Sequence, residues 1–99
     1  MGVISGVWKP TANGAGKKLA DACEVTNLKL ATGAGAAVVS IYDSQDSATD
    51  LKWVLDASTT DVDSQSFDGL VFKKGVYAVL DQGGGFTPVV CIARKHYEV

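Results

Sequence analysis

One histidine, one methionine, two cysteines, two prolines and two glutamates stand among the 99 residues, and each scarcity excludes a class of protein. With His96 as the only imidazole, nucleophilic catalysis has one base to draw on, and no Gly-x-Ser-x-Gly elbow accompanies it. Two cysteines are too few for a disulfide scaffold. Cys91, between Val90 and Ile92, reads as a small buried hydrophobe and Cys23 as the start of a strand, both reduced and structural. No apolar run approaches the roughly 18–20 residues of a membrane span. The first ten residues lack the basic and apolar regions of a secretory signal, so a chain made and held in the cytoplasm until assembly is expected.

A basic excess is missing too. The net charge is −2, and its distribution is uneven. Residues 43–68 hold aspartates at 43, 46, 50, 56, 61, 63 and 68 against Lys52, a local −6, while the segments on either side are each +2. Nucleic-acid binding wants clustered cations with interleaved aromatics, and neither is present, so no nucleic-acid partner is expected. The aspartates lack the order of a calcium loop, since the sixth position of a frame opened at Asp61 is Ser66 rather than glycine. They read as solvated loop acids, with no metal and no cofactor expected. Residues 13–18, Asn-Gly-Ala-Gly-Lys-Lys, resemble a phosphate loop only superficially. Thr11 stands where its first glycine belongs and Lys18 where its Mg²⁺-binding hydroxyl belongs.

What is abundant is β-branched. Thirteen valines, three isoleucines and seven threonines outweigh seven leucines, which favours strands over helices. Ala37, Val39 and Ile41 alternate with Val38, Ser40 and Tyr42. Leu51, Trp53 and Leu55 form one apolar face of the next segment. Further strands are expected at residues 3–8, 25–31, 66–72, 76–80 and 89–94, with a short helical turn conceivable only at 17–23. Asn13-Gly14, Gly33–Gly35 and Gly83–Gly85 punctuate them, and Asp68-Gly69 has the composition of a tight hairpin turn. Seven or eight short strands at this spacing predict an all-β domain, an antiparallel β-sandwich of jelly-roll type. Val39, Ile41, Leu51, Trp53, Leu55, Val79 and Ile92 are its expected core. At 10.3 kDa a single folded unit exposing roughly 5,400 Å² is predicted. Within it, residues 1–24 form an arm and first strand and residues 25–99 the body. Val3, Ile4, Val7 and Trp8, an apolar stretch set off by Pro10 and the loop to Gly16, are the candidate oligomer contact.

The run from Val25 to Arg94 resembles small bacteriophage virion proteins with a β-sandwich or jelly-roll fold. The likeness rests on Leu28-Lys29-Leu30, on the strand 37–43 ending in Tyr42-Asp43 before a Ser/Ala/Thr loop, and on residues 51–55. It continues through Phe67-Asp68-Gly69-Leu70-Val71-Phe72, Lys74-Gly75-Val76-Tyr77 and a closing Val/Ile strand at 89–92. The resemblance implies a non-enzymatic structural component of the virion, a capsid decoration (cement) protein that forms a homo-oligomer, dimer or trimer. Its partners would be other virion proteins such as the major capsid protein. The competing expectation is a receptor- or carbohydrate-binding sandwich of a tail or fibre that uses Trp8, Tyr42 and the aspartate loops.

Overall fold

The computed structural model describes residues 4–33, 35–57 and 62–96 of the chain. It is all-β. Strands β1 (Ile4–Trp8), β2 (Gly16–Ala31), β3 (Val38–Asp43), β4 (Leu51–Asp56), β5 (Val62–Gln82) and β6 (Val89–His96) are joined by loops and one 3₁₀ turn, Gly84–Phe86. They form a single open antiparallel sheet in the order β1-β6-β2-β5-β3-β4.

Six strands replace the expected seven or eight because two of the predicted strands are continuous, and a third grows longer by taking in a segment expected as a helical turn. The segment 17–23, read as a possible helical turn, is the first half of β2, and residues 66–72 and 76–80 are two parts of β5. Asp68-Gly69 is no hairpin turn. It is a bulge, with Gly69 at φ 101, placed where Val25 pairs with Leu70 but Asn27 pairs with Ser66. Glycine suits that left-handed backbone, and the extra residues bend the strand without ending it.

Length makes the bend necessary. Twenty-one residues of straight strand span roughly 70 Å at about 3.3 Å each, yet the molecule's longest extent is 40 Å. Both long strands shift register near Val25/Asn27, and β2 shifts again at Lys18/Ala20 and Asp21/Cys23. The sheet therefore doubles over. β4 comes within 8 Å of β2, although three strand spacings in a flat sheet are about 14 Å. Trp53 of β4 meets Phe67 of β5 edge to face at 5.1 Å, and the Asp56 amide donates to Asp63 Oδ2 at 2.9 Å.

The bends thus mark off two halves of the one sheet. One half holds β1, β6, the end of β2 and the start of β5; the other holds the start of β2, the end of β5, β3 and β4. Val25, Leu28, Leu30, Val90 and Ile92 line the inner side of the first half. Val39, Ile41, Leu55, Ala78 and Leu80 line that of the second, with Phe72 wholly buried near the bend. The predicted core is right at Val39, Ile41, Leu55 and Ile92, and Trp53 packs against it half-buried. Leu51 corrects the expectation: it is 57% exposed. A register shift between Ile41 and Tyr42 makes Lys52 the unmatched residue and sets Leu51 opposite Tyr42 rather than on the Trp53 face. Val79, paired with Gly16 and Ser40, is likewise on the outer side and half-buried.

Candidate functional site

Of the residues singled out in the N-terminal segment, Val3 lies outside the described residues. The other three belong to β1, which pairs with β6 of the same chain from Ile4↔Arg94 to Trp8↔Val90. Alternation sends Ile4 and Trp8 to the inner side, where Trp8 packs on the core, and sends Val7 outward, 61% exposed. β2 runs without a break through residue 24.

β1 ends the sheet on one side and β4, with Lys52 and Asp56, on the other; the start of β2 is a further stretch paired on one side only among the described residues. Residues 4–8 read Ile-Ser-Gly-Val-Trp, with no charge, whereas the start of β2 carries Lys17, Lys18 and Asp21. Charged side chains discourage strand addition; an uncharged edge invites it.

Register fixes what each half displays outward. On the β6 half, successive rows read Ser5–Ala93–Asn27–Ser66, then Val7–Cys91–Lys29–Ser64, then Val89–Ala31–Val62. Small side chains and hydroxyls dominate. Asn27 Nδ2 donates to Ser66 Oγ at 3.2 Å, and the Thr26 hydroxyl, at the bulge, donates to the Ala93 carbonyl at 3.1 Å. A shallow cavity of about 360 Å³ continues this face beyond β1, between Lys9, Pro10, Thr11, Thr87, Pro88 and Val89.

On the β3 half the rows read Leu51–Tyr42–Tyr77–Lys18, then Val54–Ser40–Val79–Gly16, then Asp56–Val38–Gln82. The Ser40 hydroxyl, almost buried, donates to Asp81 Oδ2 and so holds that carboxylate on the outer side. Two aromatics and four aliphatics give this face a broader apolar centre than the other.

The acidic block resolves into separate structural tasks. Asp43 accepts from the amides of Lys74 (2.8 Å) and Gly75 (3.4 Å) on Oδ1 and of Lys73 (3.2 Å) on Oδ2. Burial raises its affinity for a proton, but the three backbone N–H donors outweigh that and hold the carboxyl below its ordinary range. They converge because β5 kinks there: Gly75 is buried so tightly that a Cβ would lie 3.0 Å from the carbonyls of Ala20 and Ser44. Asp50 pairs with Lys74 at 2.7 Å, and Asp63 accepts the Asp56 amide and the Gln65 side chain. Asp61 lies outside the described residues. Among the described residues no three His, Cys, Asp or Glu side chains come together as a metal site.

The two thiols are free. Cys23, opposite His96 in register, turns its buried side chain inward, and Cys91, opposite Lys29, lies on the outer side. Facing opposite ways from different rungs, they cannot approach to disulfide distance. Cys23 is fully enclosed, and burial pushes its thiol up, away from the thiolate that a nucleophile requires.

Comparison with protein-family models, curated proteins and solved structures finds no match.

The sequence pattern singled out Val7 as part of an apolar first strand but not the outward row it joins, since its direct partner Cys91 lies far along the chain and sets that row. Leu51, Val54, Tyr42 and Asp81 were missed as one surface. Their only sequence signal was a pair of apolar residues, Leu51 and Val54, whose spacing of three does not fit a single strand face.

Proposed function

We propose that this chain is a non-enzymatic structural subunit of a bacteriophage virion, a decoration protein that attaches to other virion proteins and to copies of itself. The doubled-over sheet is read as a sandwich of jelly-roll type in which β2 and β5 belong to both layers, so that each layer holds four strand segments.

One observation carries the reading: β1 ends the sheet as an uncharged edge with Val7 open to solvent, the arrangement that accepts a strand from another subunit. Its own main chain is already anchored on β6, so added pairing would extend a finished domain rather than complete an unfinished one.

The test is co-sedimentation of the purified chain with virus particles that lack it, followed by electron microscopy of the bound position. Saturable binding is expected. Val7→Lys, which charges the edge and leaves the core untouched, is expected to abolish binding with an unchanged melting temperature. A chain that never binds particles, or whose binding ignores Val7→Lys, would rule the reading out in favour of a receptor-facing module.

A further inference from the structure

The two outward faces carry opposite charge around apolar centres. On the β6 half, Lys29 stands between Cys91 and Ser64 in the row that begins at Val7, and Lys9 flanks Val89 at the cavity. Neither lysine forms an ion pair among the described residues. On the β3 half, Asp81 lies against Ser40, between Val54 and Val79, and Asp56 stands one row further, opposite Val38. The lysines nearest that centre are already matched, Lys18 by Asp21 at 2.8 Å and Lys74 by Asp50 at 2.7 Å.

We infer that the chain associates with a second copy of itself head to tail, the β6-side face of one subunit seated on the β3-side face of the next. The contact places Lys29 and Lys9 against Asp81 and Asp56 and covers Val7 and Val54. This deepens the structural-subunit reading by naming a partner and the surface that meets it. Complementary charge selects the orientation. Two β6-side faces brought together would oppose lysine to lysine, and two β3-side faces aspartate to aspartate, each costing affinity. Because the sheet is doubled over, the two faces point away from one another, and one subunit engages both at once. Such a heterologous contact propagates, closing into a ring if the rotation per step allows and otherwise forming an open row.

Sedimentation velocity on the full chain, across about a hundredfold range of concentration at low salt, tests this through mass action. Concentration-dependent species larger than a dimer are expected, dissociating as the ionic strength rises. Lys29→Glu and Asp81→Lys should each weaken association by about tenfold or more, a difference of about 1.4 kcal/mol. Their equimolar mixture should restore it, since the reversed faces then match. Asp81→Asn, which keeps an acceptor for Ser40, should weaken association without lowering the melting temperature. Should Asp81→Lys melt early, Val54→Lys, which sets a cation beside Asp81 on the same face, takes its place in the mixture. A wild-type chain that stays monomeric throughout, single variants that associate like wild type, or a mixture that restores nothing would each overturn the head-to-tail contact. A monomeric chain that still binds virus particles overturns this contact alone; a self-associating chain that ignores particles overturns the virion reading alone.

Discussion

The two halves of the doubled-over sheet are built on the same inner pattern of Val, Leu and Ile but are held from outside by different chemistry. Around β6 most supporting contacts are neutral: Thr26 donates to the Ala93 carbonyl, and Asn27 bridges Ser64 and Ser66, beside one surface pair, Lys95 with Glu24, and Asp63, whose carboxylate takes the Asp56 amide across the seam. Around β3 they are carboxylates. Asp43 gathers three amides of the β5 kink, Asp81 receives the Ser40 hydroxyl, and Asp50 meets Lys74. Neutral hydroxyls and amides work at any pH, whereas carboxylates are strong acceptors only while ionised. The comparison teaches that one continuous sheet can concentrate its carboxylate supports at one bend, where Asp43 gathers three backbone amides, and lean mainly on neutral donors elsewhere.

Phe72 lies where both halves meet, so its loss should blur the comparison most. Phe72→Ala is expected to cost about 3–5 kcal/mol, measured by urea denaturation, with both halves unfolding in one transition. Separate transitions would mean that the halves are independent.

Asp43→Ala removes the acceptor for three backbone amides and should cost about 2 kcal/mol. Hydrogen exchange should then accelerate at Lys73, Lys74 and Gly75 and remain slow in β6. The pH dependence follows from the direction of the shift. A carboxyl held below its unfolded value stabilises the fold fully above about pH 4 and loses that contribution as the pH falls through the folded value. Acid titration of wild type should therefore loosen the β3 half first, and Asp43→Asn should flatten the pH dependence between about pH 5 and 2. Equal loosening of both halves would break the comparison.

Trp53→Phe sharpens it at the seam. The indole Nε1 is buried without a hydrogen-bond partner among the described residues, so deleting that donor should offset much of the lost volume, and a change below about 1.5 kcal/mol is expected. Thermal melting measures it; a loss as large as that of Phe72→Ala would show an indole contact more important than the edge-to-face packing on Phe67.

The smallest effect belongs to the outer side. Leu51→Ser should alter stability by no more than about 0.5 kcal/mol, against several for a truncation of buried Leu55, two rungs further along the same inner-facing pattern in sequence.

By itself the sequence determined the class and much of the inner surface. Thirteen valines, alternation at residues 37–41 and 89–92, and turn residues such as Gly14 at φ 83 are local signals, read by the backbone within a few residues. The same local signals mark β1 as apolar and uncharged. They could not reveal that residues 16–31 and 62–82 are each one strand, because a bulge looks like a turn in sequence and differs only in what the partner strand does. Nor could they place Leu51 outside the core, since a single unmatched residue, Lys52, reverses the alternation there. Which outward residues form one surface was decided only by tertiary structure: side chains from β1, β6, β2 and β5, or from β4, β3 and β5, become neighbours through cross-strand hydrogen bonds over long sequence separations. Those bonds run between backbone groups common to every residue, so the chain's letters encode them weakly. Burial of the shared core, summed over both halves, is what selects the register.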